Sequence, residues 1–130
     1  MSRKIRVLLV EDNLINQKVI SRIIEKLPDT AVQAVPSGEE AVERLEDEQF
    51  DLVLMDVQLD GMSGLETIEK IRAFERSATR ADVPVAVLSG YSDAEQERKA
   101  KEAGADLYLL KPVDIEELKR LLEEVRSPSV

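Results

Sequence analysis

Ile5-Arg6-Val7-Leu8-Leu9-Val10-Glu11-Asp12-Asn13 is the stretch on which the fold turns. Six residues, five of them aliphatic, end abruptly on two acids. A short run rich in Val and Leu, with little alternation, suits a strand buried on both faces of a parallel sheet. Four further short runs follow along the chain: Thr30–Val35, Leu52–Met55, Val83–Leu88 and Leu107–Leu110. The second is less apolar and suits a sheet edge.

Longer amphipathic segments separate these runs and read as helices. In the first, Ile15, Val19, Ile23 and Leu27 recur at every fourth position and stop before Pro28. In the third, Leu65, Ile68, Ile71 or Arg72, and Phe74 form a weaker stripe. Ile115, Leu118, Leu122 and Val125 give the fifth helix a core-facing stripe. Helix starts carry a capping pattern: Ser37 with Glu40, Ser63 with Glu66, Ser92 with Glu95 and, in variant form, Asp114 with Glu117. Gly104 is placed to cap the end of the fourth helix. That helix, Asp93 to Ala103, offers only Ala94, Ala100 and Ala103 for burial. It is either a weakly held moving part or simply a solvated helix.

Strict alternation of strand and helix predicts a doubly wound α/β sheet of five parallel strands with five helices. One domain of 130 residues accommodates it. Residues 1–126 form the expected domain, and 127–130 read as a tail or linker stub. The net charge of -9 disfavours sequence-independent binding to nucleic acid or to an anionic membrane. No run is long enough to span a membrane and no secretory signal is visible, so a cytoplasmic location is the default expectation. The sequence has no cysteine and no histidine. Thiolate chemistry, disulfides and phosphohistidine are therefore excluded, and any phosphoryl chemistry must rest on carboxylates and lysine.

Ligands of doubly wound sheets bind beyond the carboxyl ends of the strands. Glu11 and Asp12 follow the first strand, Asp56 closes the third, Ser89 the fourth and Lys111 the fifth. Singly, each has an ordinary explanation as a turn residue, a cap or a surface lysine. Their joint placement on one edge does not. Clustered carboxylates repel unless a cation joins them, and an all-oxygen set with room for water suits Mg2+. A lysine and a hydroxyl beside them make an anion-stabilising shell around one nucleophilic oxygen.

The motifs resemble those of response regulator receiver domains in two-component signalling. They are Val-Glu-Asp-Asn at 10–13, Leu-Met-Asp-Val-Gln at 54–58, Gly61 and Gly64, Leu-Ser-Gly at 88–90, Gly-Ala-Asp at 104–106 and Leu-Lys-Pro at 110–112. The resemblance covers nearly the whole chain and implies a flavodoxin-like strand order of 2-1-3-4-5. It implies that Asp56 is the phosphoacceptor in a phosphorelay. Asp12 and Asp56 would bind Mg2+ directly, Glu11 through water, and the backbone carbonyl of Gln58 would complete the set. Ser89 and Lys111 would contact the phosphoryl group, with Tyr108 as an aromatic switch partner. Phosphorylation would then switch the face made by the fourth helix, fifth strand and fifth helix. The Lys111–Pro112 bond resembles the family's cis peptide.

Glu-Asp-Asn-x-x-Asn at 11–16 resembles receivers of hybrid histidine kinases. Lacking histidine, the chain would receive its phosphoryl group from a histidine kinase or a histidine phosphotransfer domain. An output domain in a longer chain is a further possible partner. Such a domain catalyses only its own phosphorylation and dephosphorylation. Three departures stand out: Asp60 where the family often has proline, Gly90 after the switch hydroxyl, and Gln58 and Tyr91 at positions that tune the phosphoryl lifetime. Two rivals remain. One is an interaction domain that keeps the fold without phosphorylation. The other is an aspartate-based phosphatase, which would need an acid where Gln58 stands.

Overall fold

The computed structural model describes residues 4–57, 63–90 and 93–126. Five parallel strands, β1 (Ile5–Val10), β2 (Thr30–Val35), β3 (Leu52–Asp56), β4 (Val85–Ser89) and β5 (Leu107–Leu110), lie in the order β2-β1-β3-β4-β5. Five helices alternate with them: α1 (Leu14–Glu25), α2 (Gly38–Asp47), α3 (Gly64–Ser77), α4 (Ala94–Ala103) and α5 (Ile115–Arg126). This is the flavodoxin-like doubly wound arrangement, and β2 is an edge strand as its composition suggested.

Strand periodicity divides the core in two. Val7 and Leu9 of β1, Leu52 and Leu54 of β3, and Ala86 and Leu88 of β4 face α1 and α5, where Ile20, Ile24, Leu118, Leu121 and Leu122 cover them. Leu8, Val10, Val53, Met55, Val85 and Val87 face the other way, onto Ala41, Leu45, Ile68, Ile71 and Ala100 of α2, α3 and α4. Each central strand is thus apolar on both faces, which explains its largely aliphatic sequence, with Arg6 near the start of β1 the one charged residue ahead of the carboxyl ends.

The caps at Ser37 and Ser63 form as expected, accepting from the backbone N–H of Glu40 and Glu66 at 3.2 and 3.1 Å. Asp114 caps α5 through Glu116 N–H, one residue earlier than the expected Glu117. The expected Ser92 cap lies outside the described residues; Asp93 is the N-cap of α4 and accepts from Glu95 N–H at 2.9 Å. Gly104 ends α4 with φ of 121°, a backbone angle that side-chain-bearing residues rarely adopt.

Two helix stripes need correction. On α1, Ile15 and Val19 are exposed by 72% and 53%, and the buried residues are Ile20 and Ile24. This helix carries apolar residues around more than one face, and the sheet covers only one of them. On α5, Ile115 is exposed while Leu121, absent from the expected stripe, is buried. The weak packing expected of α4 is present, for Ala100 is its one buried residue and Ala94 is exposed.

α3 holds a buried charge network. Arg72 and Glu75 are buried and pair at 2.8 Å. Arg72 also donates to the carbonyls of Val83 and Gly104 and reaches Asp106 at 3.1 Å. Glu75 and Asp106 in turn accept from the backbone N–H groups of Val83 and Val85. The network ties α3 to the start of β4 and to the turn after α4.

Candidate functional site

Register brings the acids together. Val10 lies beside Met55 in the parallel β1–β3 pair, so the next residues, Glu11 and Asp56, emerge side by side at the carboxyl edge. Asp12 follows at once, before Asn13 caps α1 by accepting from Asn16 N–H at 2.9 Å. The helix start therefore fixes the acidic turn. Gln17, one turn into α1, donates to the Glu11 carbonyl at 2.5 Å. Gly64 opens α3 hard against β3: a Cβ there would lie 2.5 Å from the backbone oxygen of Asp56. Only a residue without a side chain permits this approach, so α3 packs directly under the acid.

Glu11, Asp12 and Asp56 each offer a carboxylate oxygen within 4.8 Å of the other two. Glu11 and Asp56 are 1% and 4% exposed; Asp12 is half-buried. Lys111 reaches into the set from the end of β5, its Nζ 3.0 Å from Asp56 Oδ2 and 3.6 Å from Glu11 Oε1. The first is a charge-assisted hydrogen bond, the second a Coulombic contact only. The Lys111–Pro112 peptide is cis, and Lys111 N–H donates to the Ser89 carbonyl at 2.7 Å. That bond locks the ends of β4 and β5 together.

The cluster carries more negative charge than its surroundings offset. Glu11 Oε2 accepts from Asn13 N–H at 3.2 Å, but Oε1, although buried, has no hydrogen-bond partner among the described residues. The Glu11 pKa is pushed up to about 7, chiefly by burial, with a hydrogen bond to Asp56 and the Asp56 charge adding to it; Asn13 N–H and Lys111 pull the other way. An orphaned buried carboxylate oxygen, facing two more carboxylates, is what a bound divalent cation would correct. All the donors are oxygen, which selects a hard ion such as Mg2+. The residues present therefore fit that metal.

Ser89, fully buried at the end of β4, continues the strand row that faces α4. Its Oγ donates to Oε1 of Gln96 on α4 at 3.2 Å. Tyr108, half-buried beside Val87 in the β4–β5 pair, donates its hydroxyl to the same Gln96 oxygen at 2.9 Å. The structure thus brings Glu11, Asp12, Asp56 and Lys111 together, with Ser89 at the adjoining strand end. Tyr108 lies a turn away along β5, joined to Ser89 through Gln96. Gln58, Gly61 and Tyr91 lie outside the described residues. Sequence reasoning missed Asn13 and Gln96. Asparagine before a helical apolar repeat is a capping signal that could have found Asn13; nothing in the sequence marks Gln96 apart from any other helix glutamine.

A five-stranded doubly wound sheet with three carboxylates and a lysine gathered at its carboxyl edge defines the class: a flavodoxin-like α/β domain with an acidic cluster at its strand ends. Residues 7–123 match the family described as the response regulator receiver domain, and the chain belongs to that family. It is 37% identical over 121 residues to the sensor protein GacS of Pseudomonas syringae pv. syringae. It is 35% identical over 116 residues to the signal transduction histidine-protein kinase BarA of Escherichia coli. These alignments cover 93% and 89% of this chain but only 13% and 12% of those proteins. Among solved structures, it superposes on the co-crystal of the Saccharomyces cerevisiae histidine phosphotransfer signalling protein Ypd1 and the receiver domain of its downstream response regulator Ssk1. That match has a TM-score of 0.88 at 32% identity, covering 97% of this chain and 91% of the other. The receiver domain of sensor histidine kinase PA1611 from Pseudomonas aeruginosa, with magnesium coordinated in its active-site cleft, matches with a TM-score of 0.82 at 33% identity, covering 93% and 96%.

Proposed function

We propose that this receiver domain accepts a phosphoryl group on Asp56 from a phosphohistidine donor and relays it as a change in its α4–β5–α5 face. One observation carries the reading: the buried Asp56 carboxylate at the end of β3 meets Lys111 Nζ at 3.0 Å and lies with Glu11 and Asp12 within 4.8 Å. In the transfer, an Asp56 oxygen attacks phosphorus in line, the new O–P bond forms as the P–N bond to the donor imidazole breaks, and the leaving imidazole takes up a proton. Lys111 offsets charge on the phosphoryl oxygens. Asp12 and Asp56 would hold Mg2+ directly, Glu11 through water and Gln58 through its backbone carbonyl. The metal would supply further charge neutralisation. Ser89 and Tyr108 would reorient once the phosphoryl group arrives.

The rim of the site suits a protein donor. Exposed Leu14 and Ile15 open α1 directly after the acidic pair, and exposed Leu110 and Ile115 flank Lys111. A donor histidine must come within bonding distance of Asp56, so its protein must cover this rim, and apolar contacts would hold it there. The Ypd1–Ssk1 co-crystal shows a receiver with a histidine phosphotransfer partner, and the same class of partner, or a histidine kinase, fits here. Among the described residues, no helix is long and apolar enough to cross a membrane.

The test is covalent labelling. Acetyl phosphate with Mg2+ should add one phosphoryl mass to the protein, EDTA should prevent it, and Asp56→Asn should abolish it; equal labelling of the variant would overturn the assignment. Sustained turnover of phosphate esters would revive the phosphatase reading in place of a signalling switch.

A further inference from the structure

Two donors converge on one acceptor where α4 meets the sheet. Ser89 Oγ and Tyr108 Oη come from neighbouring strands, and both donate to Gln96 Oε1, at 3.2 and 2.9 Å. Among the described residues, little else holds this half of α4: Ala94 and Glu95 are exposed, Gln96 and Glu97 are half-buried, and Ala100 is the first fully buried residue. The opposite end is fixed. Gly104, the C-cap, gives its carbonyl to Arg72 Nε and an Arg72 terminal nitrogen at 3.0 and 2.8 Å, and its N–H closes the helix on Ala100 and Lys101. Among the described residues, the helix is therefore pinned at its C-terminal end by a buried arginine and clasped near its N-terminal end through one amide oxygen.

We propose that Gln96 is a positioning residue that latches α4 in the unphosphorylated state by taking the hydroxyls of Ser89 and Tyr108 on one amide oxygen. The inference rests on the phosphoacceptor reading for its trigger, though not for the latch itself. A Ser89 hydroxyl has one proton to donate. If it turns to an oxygen on Asp56, it abandons Gln96, and the shared acceptor keeps only Tyr108. When Tyr108 moves in turn, the N-terminal half of α4 loses both polar anchors, while Gly104 stays fixed and acts as the pivot. Two neutral hydrogen bonds of ordinary strength, lost together, favour release by about tenfold.

The experiment compares wild type with Gln96→Leu, which removes the acceptor at similar size, and Gln96→Glu, which keeps it. Hydrogen exchange is followed without any phosphoryl group, and affinity for beryllofluoride with Mg2+, a phosphoryl mimic, is measured separately. Gln96→Leu should speed exchange of amides in the first half of α4 by about tenfold, leave those near Gly104 unchanged and bind beryllofluoride about tenfold more tightly. Gln96→Glu should restore slow exchange. Unchanged exchange at the start of α4 in Gln96→Leu overturns the latch, as does acceleration spread evenly over the whole domain. Failure of wild type to bind beryllofluoride instead overturns the phosphoacceptor reading and its trigger, while the local exchange pattern still reads the latch.

Discussion

Taking the protein, free of divalent metal, from pH 8 to pH 6 should protonate Glu11 and stabilise the fold. This carboxyl is 1% exposed, and its pKa stands at about 7 against an ordinary 4.5, with burial the first cause and Asp56 the second. A raised folded-state pKa contributes stability that is complete below the unfolded value and lost as pH rises through the folded one. The window here runs from about 4.5 to about 7. Between pH 6 and pH 8 the folded state gives up nearly one proton that the unfolded state does not hold, a loss of about 1 kcal/mol. Magnesium should show the opposite trend. It requires the carboxylate, so its apparent affinity should fall about tenfold from pH 8 to pH 6 as the metal displaces a proton. The chain has no tryptophan, so urea unfolding is best followed by circular dichroism, in EDTA, for wild type and Glu11→Gln. The variant cannot titrate at this position, and the stability difference between the two isolates the group from the other carboxylates. It should shift by about 1 kcal/mol against wild type between pH 6 and pH 8. Calorimetry of Mg2+ binding in two buffers of different ionisation enthalpy should detect proton release near neutral pH. A constant difference between the proteins, together with Mg2+ affinity flat across this range, would show that no proton resides on Glu11.

Two further outcomes follow from other parts of the fold. Arg72→Met should destabilise the domain by about 3–5 kcal/mol in urea denaturation, because Glu75 is left charged and buried without its partner; Arg72→Met combined with Glu75→Gln should recover part of the loss. Ile15→Asp should slow transfer from a phosphorylated histidine phosphotransfer protein while leaving acetyl phosphate labelling at the wild-type rate, since only the larger donor needs the α1 rim. Equal slowing with both donors would place Ile15 in the chemistry rather than in docking.

The strands were legible because a strand covered on both faces needs continuous aliphatic sequence. β1, β2 and β5 begin and end where their apolar runs do. β4 begins at Val85 rather than Val83. Pro84 has no N–H for a ladder, although its carbonyl accepts from Val53 N–H at 2.9 Å. Helix faces were less legible. A repeat at every fourth residue drifts around an α-helix with 3.6 residues per turn, so Ile15 and Val19 leave the face that Leu27 shares with Ile20 and Ile24. Of the site, the acids and lysine were legible because strand ends of this fold share one edge. Gln96 was not, since a half-buried amide acquires its meaning only from Ser89 and Tyr108, residues distant in sequence that the β4–β5 pairing brings near.

The two edges of the sheet handle buried charge in opposite ways, and the contrast bears on how the domain switches. At the amino edge, Arg72 is matched by Glu75 and Asp106, and its remaining donors meet the carbonyls of Val83 and Gly104. Glu75 and Asp106 also accept from the backbone, and no polar side-chain atom of this trio is stranded among the described residues. Such a network has one good arrangement and resists alternatives. At the carboxyl edge, Glu11, Asp12 and Asp56 crowd together, Lys111 meets two of them, and Glu11 Oε1 has no hydrogen bond among the described residues. That edge has unspent electrostatic free energy, which a divalent cation would lower and a phosphoryl group would redistribute. α4 spans the difference: its C-terminal end hangs on the satisfied Arg72 network, and its N-terminal half on the neutral bonds that Ser89 and Tyr108 give Gln96, beside the acidic cluster. A charge added at Asp56 would therefore act on the end of α4 that is weakly held, and the same helix would transmit it as a swing about Gly104 rather than as a displacement of the whole core.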